Sequence, residues 1–356
     1  MTECSKEQGD EGMKVMLKKL TAVFALLCLV LTSGCQHGGK EVVNNDRKDD
    51  ILIGMSFDSF IIERWQRDRD VFVSTANDLG AVVNVQNANG DLDEQIAQID
   101  YFIQKKVDAI VVVAIDCYGL FDAVKRAKDA GIYVISYDRL VMNGDVDLYI
   151  SFDNEMVGQM MAESLVESLP KGSNVISICG PKADQNVAQV GKGFDAVINN
   201  STLNVVKQEY AEGWLAEAAY DFVNREINAG TVFSGVHCGN DNLATQAVKA
   251  LSERRMAGTV CVVGQDAELA ACQRIVEGTQ TMTVYKPVEK LAKQAAEDTI
   301  KIIKGESLNA TDTIFDGTSE VPCVKLSPIK VTKSNMDQVI IDGGFHRREE
   351  VYLNIS

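Results

Sequence analysis

The residues with the most chemistry in this chain sit where its apolar runs end. Asp58 and Ser59 follow Ile51–Phe57, and Arg64-Trp65 come a turn later. Tyr137-Asp138-Arg139 closes the run that starts at Tyr133. Further on, Gly180 leads into Asp184-Gln185-Asn186, while Asn240-Asp241, Gln265-Asp266 and Lys286 each end an apolar stretch. Asn87, Asn89-Gly90 and Asp116 hold the same place after two other runs. Carboxylates accept hydrogen bonds, guanidinium and ammonium groups donate them, and carboxamides do both. A polyhydroxylated ligand suits such a set, because every hydroxyl both gives and takes, and charged bonds are the stronger kind. At any single position the plainer reading is a loop or helix cap. Across the whole set, a polar crevice explains more.

The two tryptophans, Trp65 and Trp214, stand among polar neighbours, in Glu63-Arg64-Trp65-Gln66 and Glu212-Gly213-Trp214. An indole face can stack on the C–H face of a pyranose ring, and burial in the core is the alternative.

Other chemistries lack their residues. Asp138, Asp241 and Asp266 are the carboxylates a glycosidase would draw on, but no acid–base pair at diagnostic spacing accompanies them. A binding protein is expected, not an enzyme. Three His, no C-x-x-C and widely spaced Cys117, Cys179, Cys238, Cys261, Cys272 and Cys323 argue against zinc and thiol redox centres. Asn89-Gly-Asp-Leu-Asp-Glu-Gln95 lacks the order of a calcium loop and reads as a helix cap. No phosphate-binding G-x-x-x-x-G-K-[ST] is present, so an ATPase would have to be another subunit. No cofactor is expected.

The positioning elements alternate. Strands are expected at Ile51–Phe57, Ala81–Gln86, Ala109–Ile115 and Tyr133–Ser136, with helices at Ile62–Leu79, Asp93–Lys106 and Leu120–Ala130 between them. The fully apolar Ala109–Ile115 suits a parallel sheet covered on both faces. The alternation starts again with Leu148–Phe152 and a helix at Glu155–Leu169. Strands follow at Asn174–Cys179, Val232–Val236, Val260–Gly264 and Thr281–Tyr285, and strand-like pieces at Pro328–Val331 and Gln338–Ile341. Gly191-Lys192-Gly193 falls on a helix start or face. The fold class is α/β, with two doubly wound parallel-sheet units. Ligands of such sheets bind beyond the carboxyl ends of the strands, which is where the polar set lies.

At 356 residues the chain is long for one core, and two lobes are the default. Its 46% hydrophobic and 24% charged residues exclude disorder and a multi-span membrane protein. A net charge of −16 with no basic patch argues against nucleic acid. The first 35 residues stand apart. Lys14, Lys18 and Lys19 precede an apolar Thr21–Leu31, and Leu31-Thr-Ser-Gly-Cys35 has the form of a bacterial lipobox. Cys35 is therefore expected to carry lipid and hold the protein to the outer face of the cell membrane. Met1–Gly12 is polar and acidic, so Met13 is a second candidate start. Residues 36–50 read as a polar tether.

Seven segments carry a resemblance. They are Glu63-Arg-Trp-Gln-Arg-Asp-Arg-Asp70, Gln86-Asn-Ala-Asn-Gly90, Tyr137-Asp-Arg139, Tyr149-Ile-Ser-Phe-Asp-Asn-Glu155, Gly213-Trp-Leu215, Gly264-Gln-Asp-Ala267 and Gly278-Thr-Gln-Thr-Met-Thr-Val-Tyr-Lys-Pro287. Across residues 51 to about 305 the chain resembles bacterial periplasmic sugar-binding proteins of the ribose and galactose type, and among them the D-xylose-binding branch. The resemblance implies two Rossmann-like lobes, a type I periplasmic binding protein, joined by three crossings. Residues 51–153 plus about 287–321 would form the N-terminal lobe, and 154–286 plus about 322–356 the C-terminal lobe. It also implies a sugar site. Arg64, Trp65, Asp138 and Arg139 come from the first lobe, Asn186, Trp214, Asn240 and Asp266 from the second, and Lys286 from the hinge. D-xylose is the expected ligand, and the protein a monomer serving an ABC permease with a separate ATPase subunit. Presenting the loaded form to a membrane histidine kinase is the alternative. The sequence departs from the family at Gln185, where the related pattern has Asn, which weakens the assignment of neighbouring Asn186. The galactose-type calcium loop is absent, and a lipobox replaces the cleavable signal.

Overall fold

The computed structural model describes residues 50–355 apart from 309 and 311. The lipobox with Cys35, and all of the tether but its last residue, lie outside the described residues.

Eight elements build the first half: β1 (Ile51–Phe57), α1 (Arg64–Asp78), β2 (Ala81–Asn87), α2 (Leu92–Lys105), β3 (Ala109–Val112), α3 (Phe121–Asp129), β4 (Tyr133–Tyr137) and β5 (Leu148–Phe152). The second half repeats the pattern with α4 (Asn154–Ser168), β6 (Asn174–Cys179), α5 (Gln185–Ile198), β7 (Asn204–Tyr210), α6 (Glu217–Asn228), β8 (Gly235–Cys238), α7 (Asp241–Glu253), β9 (Cys261–Gln265), α8 (Leu269–Glu277) and β10 (Met282–Tyr285). Then α9 (Val288–Ile303) returns to pack on α1, followed by β11 (Asp312–Phe315), β12 (Glu320–Leu326), β13 (Ile329–Val331) and the short α10 (Arg348–Val351). One sheet runs β11-β12-β5-β4-β3-β1-β2, the other β13-β10-β9-β8-β6-β7. All pairings are parallel except β11–β12 and β10–β13.

β3 and β5 are buried at every residue, as strands covered on both faces must be. Helix starts are fixed by side chains. Asp91 accepts from Asp93 N and Glu94 N to begin α2, and Asp153 accepts from Met156 N at 3.0 Å to begin α4. Asp153 also marks the first of three passages between the sheets; Lys286-Pro287 and Ser327-Pro328 mark the others. Gly193 lies inside α5, where a Cβ would fall 1.9 Å from the Glu155 carbonyl of α4. Of the Gly191-Lys192-Gly193 cluster, Gly193 is thus the helix-packing residue.

Four expectations change. The apolar run Ala109–Ile115 is strand only to Val112, because Gln95 Oε1 takes the Ile115 N–H at 2.9 Å. The expected strand at Val232 starts instead at Gly235, and Val232 is exposed in the preceding loop. Gln338–Ile341 is not strand: Asp337–Ile341 is a π-helical turn that buries Ile340 beside Tyr285 and Phe345. Three apolar residues, Val339, Ile340 and Ile341, fit either period, and packing decided. Last, β12 continues in register with β5 to Leu326, so the first sheet extends past the expected switch near 322. Among the described residues no helix is long and apolar enough to cross a membrane, and six cysteines are unpaired.

Candidate functional site

In the first lobe, Arg64 opens α1 and is aimed by its own helix. Asp68, one turn on, accepts from Arg64 Nε at 3.2 Å and Nη2 at 2.9 Å, and Tyr137 OH also donates to Asp68. The remaining Arg64 nitrogen, Nη1, donates to Asp138 Oδ2 at 2.8 Å. Asp138 follows β4 with φ of 62°, a left-handed conformation that turns its carboxylate out of the strand line. Its carbonyl accepts from Tyr149 OH and Ser151 Oγ, which fix that turn. Arg139, next along, donates from Nη1 to Asp58 Oδ2 at 2.7 Å and to the Ala114 carbonyl at 3.2 Å. Its guanidinium carbon lies 5.5 Å from the Trp65 ring centre, and that of Arg64 4.4 Å.

In the second lobe, helix starts supply the side chains. Asp184 caps α5 by accepting from Asn186 N at 2.9 Å and also accepts from Trp214 Nε1 at 3.2 Å. Asn186 Nδ2 reaches across to Asp138 Oδ1 at 2.9 Å. Asn240 caps α7 through Leu243 N. Asp266 follows β9 with φ of 99°. Lys286 Nζ donates to Gln265 Oε1 at 2.9 Å and stands 2.7 Å from Asp266 Oδ1, a charge contact off the line of a hydrogen bond.

All nine residues singled out in the sequence — Arg64, Trp65, Asp138, Arg139, Asn186, Trp214, Asn240, Asp266 and Lys286 — line one cleft. Asn186, the least secure of them by sequence, is fully part of it. Asp184, Asn154, Gln265 and His237 line the cleft too. Asp184 and Gln265 were visible as strand-end polar residues. His237 sits mid-strand in β8 and gave no signal. Other strand-end residues do loop work: Asn87 Nδ2 donates to Asn89 Oδ1, and Asp116 accepts from Tyr118 N and Gly119 N. Asp241 turns away from the cleft to Thr283 and Gln280.

Electrostatics separate the acids. Burial works to raise Asp138, but Arg64, Lys286 and Arg139 more than offset it, holding its carboxyl below the usual range. For Asp184 burial wins over Arg139 and the carboxyl is raised. Burial pushes Asp241 up to about 7 and His237 down to about 4.

Four cleft side chains keep a buried polar atom with no hydrogen-bond partner among the described residues: Trp65 Nε1, Asn240 Nδ2, His237 Nε2 and Asp266 Oδ1, the last of which faces the Lys286 charge. Trp65 and Asn240 are donors, one from each lobe. Buried polar groups rarely stay unpaired without a role. No group of three or more His, Cys, Asp or Glu converges as a metal site among the described residues.

Residues 53–307 match the family model described as a periplasmic binding protein domain. The chain is 41% identical over 308 residues to the D-xylose-binding periplasmic protein of Haemophilus influenzae, covering 85% of this chain and 92% of that protein. It is 38% identical to the D-xylose-binding periplasmic protein of Escherichia coli, over 94% of this chain and 100% of that one. Among solved structures, an ABC transporter solute-binding protein from Clostridium phytofermentans with bound β-D-glucose superposes with a TM-score of 0.76 at 27% identity, over 84% of this chain and 99% of that one.

Proposed function

The chain belongs to the family of periplasmic binding protein domains, and on that premise we propose that it is an extracytoplasmic binding protein for one monosaccharide, D-xylose, which it delivers to an ABC importer. It is not an enzyme, as its family and its curated relatives are binding proteins. The observation that carries the sugar reading is the cleft with its unpaired donors beside the Lys286–Asp266 ion pair. Trp65 Nε1 and Asn240 Nδ2 have hydrogens to give, and the Asp266 carboxylate has lone pairs beyond those that face Lys286 Nζ, which is what a ring of hydroxyls consumes. Around them the fixed charges of Arg64, Asp138, Arg139 and Lys286 are already paired, so a neutral, hydrogen-bonding ligand enters without an uncompensated charge. Trp65 and Trp214 supply apolar faces from opposite lobes. The preference for xylose among sugars rests on the two D-xylose-binding relatives.

In this account Cys35 is acylated and keeps the domain beside its permease, and Arg64, Trp65, Asp138, Arg139, Asn186, Trp214, Asn240, Asp266 and Lys286 contact the sugar. Equilibrium dialysis with labelled xylose tests the reading: the sugar is retained and recovered unchanged. Retention of no aldose, or recovery of a chemically altered one, contradicts it.

A further inference from the structure

The two lobes bond directly to each other, and one loop of the second lobe makes the contact. Ala183 O accepts from Cys117 N of the first lobe at 2.9 Å. Asp184 Oδ2 lies 2.8 Å from Arg139 Nε, with 2% and 4% of the two side chains exposed. Asn186 bonds to Asp138 beside it.

We propose that Asp184 is a positioning residue that latches the cleft. One carboxylate oxygen docks Arg139 of the opposite lobe and holds the Trp214 indole, so the lobes close in a single register and the closed form is populated before sugar arrives. The inference deepens the sugar-binding reading and rests on it for the kinetics of release, while closure is a property of the protein alone. When the lobes part, Arg139 keeps Asp58, and Asp184 keeps its α5 cap. Closing exchanges water on Arg139 Nε and Asp184 Oδ2 for each other. Desolvation offsets much of the Coulomb gain, so the pair chiefly selects geometry and biases an otherwise balanced equilibrium. Trp214 is bound into the same device, because its Nε1 shares the latched oxygen.

Asp184→Asn and Asp184→Ser test this. The amide of Asn is a donor facing a donor in either orientation, toward Arg139 and Trp214 or toward Asn186 N. Ser retains a helix cap without the charge, so the second variant stands if the first fails to fold. Small-angle scattering of the sugar-free proteins is measured first. The variants have a larger radius of gyration than the wild type. With xylose, stopped-flow shows release about tenfold faster at an unchanged association rate. Wild-type values of both the radius and the release rate in folded variants overturn the latch. If the wild type binds no sugar but the variants still expand, the sugar reading fails and the latch stands.

Discussion

Arg64 Nη1 stands 2.8 Å from Asp138 Oδ2, with 3% and 5% of the two side chains exposed. The pair joins the first turn of α1 to the end of β4, and the other Asp138 oxygen is held by Asn186 from the opposite lobe. Asp138 thus both lines the cleft and ties elements of the two lobes together. Asp138→Ala leaves Arg64 with Asp68 alone and Asn186 Nδ2 without its acceptor. Breaking a buried pair costs about 3–5 kcal/mol of stability. Urea unfolding is expected to show a loss of that order, and titration a xylose affinity at least about tenfold weaker. Unchanged affinity would take Asp138 out of the site.

Gly180 tests the placement of Trp214 without touching a polar group. A Cβ at residue 180 would lie 2.3 Å from the Trp214 ring, far inside contact distance. Gly180→Ala must therefore displace the indole or the loop, breaking the Trp214–Asp184 bond. Sugar affinity is expected to fall while Trp214 fluorescence shifts. A variant with native fluorescence and native affinity contradicts this placement.

His237 gives a pH signature. It is 2% exposed, and burial lowers its folded pKa to about 4 from an ordinary value near 6.5. Between those values the unfolded chain binds the extra proton, so this contribution to stability is full above about pH 6.5 and is lost as pH falls toward 4. Compared with His237→Asn, the wild type loses stability on acidification by up to about 1.4 kcal/mol per pH unit. Asp241, raised to about 7, acts in the opposite sense, which is why the comparison is made with the variant and not across the raw profile. Parallel profiles for the two proteins would place a charged imidazole in the fold.

The proposed lipid anchor is expected to be separable from the candidate site. All nine proposed contacts lie in the domain that begins near Asp50, so a chain starting there is expected to fold and bind as the whole mature chain does. Cys35→Ser should release the protein from membranes with its affinity intact. Mass spectrometry of the mature N-terminus is the check: an unmodified peptide running through Cys35 rules out lipid.

The site was legible because parallel α/β sheets put strand ends in one place, and strand ends can be read from apolar runs followed by polar residues. Asp138, Asn240, Asp266 and Lys286, all of which line the cleft, each follow an apolar run in the sequence. Asp184 was seen too, but its spacing reads as an α5 cap. It is one, and only tertiary structure adds Arg139 to the same carboxylate. His237 was hidden because nothing local marks a mid-strand residue as lining a cavity. The edge strand β7 was missed because its half-exposed Asn204–Tyr210 has little apolar content. The tail misled more: Gln338–Ile341 had β-like composition, and its packing against Tyr285 and Phe345 favoured a helical turn.

Calorimetric titration of the sugar-free protein with xylose, ribose, arabinose, glucose and galactose tests the central claim most directly. One mole of xylose should bind per chain, more tightly than any other sugar in the panel. Another sugar that binds at least about tenfold tighter, a difference of ~1.4 kcal/mol, would contradict the xylose assignment, and no heat with any of them would contradict the account of the cleft.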